Sequence, residues 1–231
     1  MTSEESEKPA QKSLPSSRMK MDKQIDVLKS FVVYFTKNNA PASYKEIAPL
    51  TNSTPTTVSG TLKFWKDSGM LQGDTGKYQP TPTLTEFARK YNWGDQEGAW
   101  ELFRTALSGT WYVSNTIMLL SIKKQVSADE IINSLGSASG NASREGEVGE
   151  ALVTLFSLLE MAKIVIKGPD EMYTINPGFE KKVGRKLVAD ETKSLTQVRI
   201  NGELYAIETD QLKKFILENG RSLNATQQEL Q

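Results

Sequence analysis

The chain has 231 residues, with 28 Lys plus Arg against 28 Asp plus Glu and a sequence pI near 6.4, which argues against a globally cationic nucleic-acid coat protein. It contains neither Cys nor His, so we exclude disulfides, thiol nucleophiles, histidine bases and the usual zinc sites, and catalysis would have to use carboxylates, Lys, Tyr or Ser. Because the chain has neither a Gly-x-x-x-x-Gly-Lys-Ser/Thr nor a Gly-x-Gly-x-x-Gly motif, we predict no enzyme activity, no metal and no cofactor. Hydrophobic residues make up 38 % of the chain, enough for one large domain or two small ones.

Residues 1–20 are predicted to be a disordered tail, because charged residues, Ser and Pro dominate them. They contain no apolar stretch of about 7 to 15 residues of the kind that a secretory signal needs. Apolar runs elsewhere fall short of the roughly 20 residues of a membrane span. We therefore expect a cytoplasmic protein with no membrane partner.

Residues 21–93 are predicted to form a first domain that begins with helices. Apolar residues at three- and four-residue spacing over 25–35 indicate the first helix. Ser43 and Glu46, three residues apart, form a capping-box pattern, which predicts a second helix from Tyr44.

A third helix and a hairpin follow in the first domain. Thr54 supplies a capping hydroxyl and Pro55 suits the first helical position. The apolar stripe of this helix consists of Val58, Leu62 and Trp65. Residues 70–72 and 78–80 flank a Gly-rich turn and predict a short hairpin. Thr83 and Glu86 then form another capping-box pattern, which predicts one more helix.

This order of elements resembles the winged helix-turn-helix superfamily over the first domain. The segment that carries the resemblance reads KEIAPLTNSTPTTVSGTLKFWKDSGMLQGDTGKYQPTPTLTEFARK. Its matching features are Glu46-Ile47-Ala48, Val58-Ser59, Gly69-Met70-Leu71, Tyr78 and Leu84-Thr85. The resemblance implies a fold whose third helix enters the major groove of double-stranded DNA, with the hairpin as a wing beside it.

Residues 94–177 are predicted to be a second winged-helix domain, because the order of elements recurs. Ser127 and Glu130 form a capping-box pattern, and a helix from about Arg144 to Met161 is followed by a strand, a turn and a strand. The predicted fold class is therefore mainly α with small β-wings, in two tandem winged-helix domains.

Residues 178–231 are predicted to contain a basic connector, a β-hairpin and a final helix. Asn201-Gly202 between two β-prone runs favours a tight hairpin turn. Thr209 or Asp210 would cap the helix. A hairpin plus one helix is too small to stand alone, so we expect it to pack on the tandem domains or on a second copy of the chain.

The candidate DNA-binding residues lie on the outer side of the third helix, around its start and on the wing. Hydroxyls and lysines can bind base edges or phosphates, and a helix N-terminus suits a phosphate. The candidates are Tyr44, Thr54, Thr56, Thr57, Ser59, Gly60, Lys63, Lys66, Lys77 and Tyr78. A solvated helix face is the alternative interpretation of the same residues.

Charge separates the two predicted domains. The first carries nine basic and six acidic side chains, and the second carries six basic and eleven acidic ones. Because the outer face of the second domain's third helix carries Glu150, Val153 and Glu160, phosphate would be repelled there. We expect this domain to contact protein, with a solvated acidic surface as the alternative.

The densest basic cluster follows the second domain. Lys181, Lys182, Arg185 and Lys186 are candidates for phosphate contacts outside the groove, and a solvated connector is the alternative.

The sequence as a whole predicts a DNA-binding protein, specifically a transcription regulator that acts as a homodimer at the nucleoid, since a two-fold dimer doubles the site. The main alternative is a non-catalytic protein-interaction, chromosome-organising or complex-assembly subunit. A third reading is a replication-initiator-like protein with both winged helices on DNA.

Overall fold

The computed structural model describes residues 11–74, 76–141 and 145–179 and, as backbone alone, strands at 195–200 and 203–208. The chain divides into two compact units, Met1–Phe179 and Glu180–Gln231. The described part of the first unit is mainly helical with small antiparallel sheets, which confirms the predicted class at that level. Both predicted domains fall within this first unit.

Residues 21–80, here called the first repeat, combine helices with a three-stranded antiparallel sheet. In order they form α1 Met21–Asn38, β1 Ala42–Ser43, α2 Tyr44–Ile47, a 3-10 turn Ala48–Thr51, α3 Pro55–Asp67, β2 Leu71–Gln72 and β3 Lys77–Pro80. Strand β3 is central in the sheet order β1-β3-β2, with Ala42 opposite Tyr78 and Leu71 opposite Pro80. The sheet therefore connects the segment before α2 to the hairpin after α3.

Local signals set the ends of α2 and α3. The Ser43 backbone N–H donates to the Glu46 carboxylate at 2.7 Å, and the predicted capping box is present. At the start of α3, the Thr54 hydroxyl accepts from the Thr57 N–H at 3.3 Å. Helix α3 ends before Gly69, whose φ of 73° is a left-handed conformation that glycine adopts without steric cost.

The next helix begins earlier than predicted. Helix α4, Pro82–Asn92, is capped by Thr81, whose hydroxyl accepts from the Leu84 N–H at 3.4 Å. The capping box expected at Thr83 and Glu86 is therefore wrong. The physical reason is Pro82, which favours the first helical position and leaves the residue before it as the cap.

Residues 111–175, here called the second repeat, follow α5 Gln96–Leu107 and show the same order of elements as the first. They form α6 Trp111–Lys123, α7 Ala128–Ala138, α8 Gly146–Met161, β4 Val165–Lys167 and β5 Tyr173–Ile175. Val126 pairs with Tyr173, in the place that β1 takes beside β3. A capping box follows Val126 at the start of α7, just as one follows β1 at the start of α2. In it, the Glu130 N–H donates to the Ser127 hydroxyl at 3.2 Å.

An aromatic cluster joins the two repeats. The rings of Phe87 on α4 and Phe103 on α5 have centroids 4.8 Å apart, and Phe103 lies 6.2 Å from Trp65 of α3. Phe64 of α3 contacts Tyr112 of α6, with centroids 5.6 Å apart. All five side chains are buried, so α3 to α6 share one core.

Buried polar contacts complete this junction. The Tyr112 hydroxyl donates to the Ser68 hydroxyl at 3.1 Å, across the boundary between the repeats. Arg104 of α5 is 8 % exposed, and its guanidinium donates to the Ala162 carbonyl at 3.1 Å and to Glu97 at 3.0 Å. These bonds hold the end of α8 against α5.

Residues 11–20, here called the N-terminal arm, pack on the first unit, in contrast to the disordered tail predicted for residues 1–20. Met19 is buried, and the Gln24 side-chain amide donates to the carbonyls of Ser16 at 2.9 Å and Met19 at 2.7 Å. Hydrogen bonds to its backbone carbonyls hold much of the arm in place, and the pattern of apolar residues in a sequence does not reveal such bonds. The prediction of disorder therefore failed for the arm. The first ten residues lie outside the described part of the chain.

The C-terminal unit contains the predicted hairpin. Strands β6 Leu195–Ile200 and β7 Glu203–Glu208 pair antiparallel, and the Asn-Gly pair connects them. The expected basic connector and final helix lie outside the described residues.

We expect Tyr112→Phe to lower the free energy of unfolding by about 1 to 2 kcal/mol, because it removes a buried hydrogen bond and leaves the Ser68 hydroxyl without this partner. Urea unfolding followed by circular dichroism measures the change. Tyr91→Phe is the matched control, because the half-buried Tyr91 hydroxyl has no hydrogen bond in the described structure. Equal stability of the two variants would contradict the role assigned to the Tyr112 hydroxyl.

Candidate nucleic-acid interface

Helix α3 has one buried and one exposed side. The predicted apolar stripe, Val58, Leu62 and Trp65, is buried. The opposite side, here called the open face of α3, consists of Thr56, Ser59, Gly60, Lys63, Lys66 and Asp67, all of them exposed. The open face therefore offers hydroxyls, a glycine and two lysines to an approaching ligand.

The start of α3 offers fewer free donors than the sequence suggested. The Thr57 N–H is occupied by the Thr54 hydroxyl at 3.3 Å, and the two hydroxyls lie 2.8 Å apart. Pro55 has no N–H. A phosphate at this turn would therefore be bound mainly by the exposed Thr54 and Thr56 rather than by several backbone groups.

The lysines near the open face differ in their surroundings. Lys66 forms an ion pair with Asp74 of the wing, which raises the pKa of the Lys66 ammonium. Lys77, on β3, lies close enough to Glu46 to lower the pKa of that carboxyl. Lys63 is exposed and has no ion pair among the described residues. Lys63 is therefore the cation of the open face that is most available to a phosphate or a guanine.

The remaining predicted residues lie where the sheet meets α2. Lys77 and Tyr78 of β3 pair with Ser43 and Ala42 of β1, and Tyr44 follows β1 directly. Tyr44 and Tyr78 are half-buried. The sheet therefore places the predicted wing contacts beside the start of α2.

The Glu46 carboxylate connects the start of α2 to α1 and β1 in the first repeat. Glu46 accepts from the Tyr34 hydroxyl at 2.5 Å and from the Ser43 N–H at 2.7 Å. The hydrogen bond from Tyr34, followed by those from Ser43, lowers the pKa of Glu46 to about 2. Glu46 therefore stays ionised down to acid pH, next to Lys77.

The N-terminal arm lies along one edge of the open face, a feature that the sequence did not predict. A hollow of about 450 Å³ is lined by Leu14 to Arg18 of the arm, by Thr56, Ser59 and Gly60 of α3, and by Glu147, Val148 and Ala151 of α8. One signal was present in the sequence: Gln24 lies between Met21 and Leu28 at helical spacing, on the apolar side of α1. In the structure Gln24 is 0 % exposed. The buried Gln24 Nε2 needs acceptors, and the arm supplies two carbonyls, whereas Gln24 Oε1 has no hydrogen-bond partner among the described residues.

Helix α8 carries negative charge on its outer side. Glu150, Val153 and Glu160 are exposed, as predicted, with Val153 52 % exposed. In the first turn of α8, Glu147 pairs with Arg18 of the arm at 2.8 Å. Helix α8 is therefore less suited to phosphate than α3.

The last predicted phosphate contacts fall on residues that the structure does not describe. Lys181, Lys182, Arg185 and Lys186 lie outside the described residues. Within the described residues there is no acidic cluster able to hold a metal ion, and no helix has the length and apolarity to cross a membrane. Comparisons with protein-family models, curated proteins and solved structures gave no match to this chain.

We expect Glu46→Gln to flatten the dependence of stability on pH between about 4.5 and 2. The folded pKa of Glu46 is depressed, so its contribution is full above the unfolded pKa and is lost as pH falls toward about 2. Glutamine can still complete the capping box, which keeps α2 intact.

Urea unfolding at a series of pH values from 7 to 2 measures this effect, with Glu150→Gln as the control. Glu150 is an exposed carboxylate whose side chain makes no hydrogen bond in the described structure. Curves for Glu46→Gln and the unmodified protein that remain parallel below pH 4.5 would refute the role of Glu46.

Proposed function

We propose that this chain is a DNA-binding protein of tandem winged-helix architecture, and that it acts as a transcription regulator through α3 and the β2-β3 wing. The observation that carries the proposal is the exposed polar face of α3. This helix is the third in a three-helix arrangement and is followed directly by the hairpin. In helix-turn-helix proteins this position belongs to the helix that lies in the major groove.

The topology supports the architecture. In the first repeat, the sheet order β1-β3-β2 brings the strand before α2 beside the wing. The second repeat has the same order, with the Val126 bridge in the place of β1. Two units with one topology in one chain are expected of tandem domains.

The roles proposed for single residues follow from exposure and charge. Ser59 and Lys63 would contact base edges or nearby phosphates, and Lys66 and Lys77 would contact the DNA backbone. Thr56 and Gly60 lie at the edge of the open face beside the arm. The proposal assigns no catalytic residue and no cofactor.

The second repeat is proposed to bind protein, because α8 presents Glu150 and Glu160 outward. In this proposal the protein is a homodimer in the cytoplasm, associated with the nucleoid. A replication-initiator arrangement, with both repeats on DNA, would bring these carboxylates close to phosphate at an electrostatic cost.

A non-catalytic interaction protein is the second candidate function. Exposed apolar side chains favour it: Ile122 is 76 % exposed and Met118 59 % exposed, one helical turn apart on α6, and Trp93 at the end of α4 is 79 % exposed. Exposed apolar groups of this size are typical of protein-binding surfaces.

The first experiment is fluorescence anisotropy of a random-sequence DNA duplex titrated with protein at about 50 and 200 mM salt. Binding that weakens steeply with salt supports phosphate contact. Lys63→Ala should weaken binding several-fold and make the log-log salt slope shallower by about 0.9, the loss of one phosphate contact.

Lys37→Ala is the matched control, because Lys37 is also exposed, has no ion pair among the described residues and lies on α1 in a hollow shared with α4 rather than α3. Loss of affinity in both lysine variants alike would indicate non-specific charge attraction. If the unmodified protein does not bind at 50 mM salt, the interaction candidate is favoured over the proposed function.

If the C-terminal hairpin makes the proposed dimer, removing residues 195–231 should change the mass found by sedimentation equilibrium from that of two full chains to that of one truncated chain. The hairpin belongs to a compact unit separate from Met1–Phe179, so the circular dichroism of the helical unit should persist. A truncated protein that remains a dimer would exclude the hairpin as the dimer contact.

A further inference from the structure

The N-terminal arm follows the open face of α3 over much of its length. Ser13 lies at the C-terminal end of the helix, in a hollow that it lines with Asp67 and Ser68. Three residues on, the Ser16 hydroxyl lies 3.4 Å from the position that a Cβ of Gly60 would occupy. The arm therefore runs beside α3 from its end to its middle.

Identified contacts hold the arm in this place. At one end the Lys12 N–H donates to the Ser139 carbonyl at 2.9 Å. At the other end the buried Gln24 amide donates to the carbonyls of Ser16 and Met19. These bonds connect the arm to α7 and to α1, so both repeats take part in placing it.

An ion pair adds to these hydrogen bonds. The Arg18 guanidinium donates to one Glu147 oxygen from two nitrogens, at 2.8 and 3.3 Å. The two side chains are 64 % and 72 % exposed, so the pair is weak and salt-sensitive. It joins the arm to the start of α8 next to α3.

The arm and a DNA duplex would compete for the same space. The major groove is about 12 Å wide and a helix with its side chains is about 10 to 12 Å across, so a recognition helix fills the groove. A second segment of chain against the middle of that helix leaves it no room to enter fully. Lys63 and Lys66 remain open on the side toward the wing, whereas Gly60 faces the arm.

We propose that the N-terminal arm is an autoinhibitory element that lies against the Thr56-Gly60 edge of α3 and must leave it before α3 can enter the major groove. This inference rests on the proposed DNA-binding function and adds its regulation. Met19 is buried and Gln24 also binds its carbonyl, so residues 12–17 would move away while Met19 stays attached. Release would break the weak Arg18–Glu147 pair and the hydrogen bonds from Lys12 to Ser139 and from Gln24 to Ser16.

A disulfide between Ser16→Cys and Gly60→Cys tests the proposal directly. The Ser16 Cβ lies 3.9 Å from the Cβ position at Gly60, within the range of about 3.5 to 4.5 Å that disulfides use. The chain has no other Cys. Oxidation would lock the arm on α3, and reduction would release it in the same molecule.

We expect the disulfide to form under mild oxidant, and the oxidised protein to bind a DNA duplex about tenfold or more weakly than the reduced protein. Each single-cysteine variant, treated with the same oxidant, controls for oxidation itself. Failure of the disulfide to form would overturn the placement of the arm, and equal affinity of the two forms would overturn the inhibition while leaving the proposed function intact.

Arg18→Ala provides an independent test that keeps Gly60. If Arg18 contacted phosphate, its loss would weaken DNA binding. If it holds the arm on α3, its loss tightens binding by up to about fivefold, although a cation has been removed. Weaker or unchanged binding overturns the proposal.

The absence of DNA binding by the unmodified protein, Arg18→Ala and the reduced double variant alike would refute the proposed function, and the inference with it.

Discussion

The placement of α3 depends on the aromatic junction between the repeats. Trp65 and Phe64 on its buried side contact Phe103 of α5 and Tyr112 of α6. The core of the first repeat therefore continues into the second, and α3 cannot rotate or slide without breaking this packing. The orientation of the open face is a consequence of the same contacts. Arg104 supports the arrangement from the other side, since its guanidinium holds the end of α8 to α5.

Electrostatics near α3 are balanced rather than strongly positive. Lys66 pairs with Asp74 and Arg18 pairs with Glu147. Glu46, whose pKa is lowered chiefly by hydrogen bonds from Tyr34 and Ser43, adds a further negative charge near Lys77. A protein with such a surface would gain little from long-range attraction to DNA, and its affinity would depend on close fit within the groove. Because affinity would depend on close fit, any group that occupies the space beside α3 would affect binding strongly. A short chain segment there has more influence than it would on a strongly basic surface.

Sequence reasoning succeeded where the signals were local. The capping boxes at Ser43 and Ser127, the start of α3 at Pro55 and the exposed side of α3 depend on residues close together in the chain, and periodicity or capping rules report them. Sequence reasoning failed where contacts between residues far apart in the chain determine the structure. The arm is placed by the Gln24 amide and by partners far along the chain, and the ion pair of Lys66 depends on how the hairpin folds back. Thr83 fits the capping pattern, but Pro82 favours the first helical position and makes Thr81 the cap.

The continuous core has a consequence for how this architecture could be divided. Tyr112 belongs to the second repeat, yet its ring packs on Phe64 and its hydroxyl is satisfied by Ser68 of the first. A fragment that ended between the repeats would expose aromatic surface on both pieces and leave polar groups without their partners. A transplant into another protein that keeps these contacts intact would therefore include everything from the arm through β5.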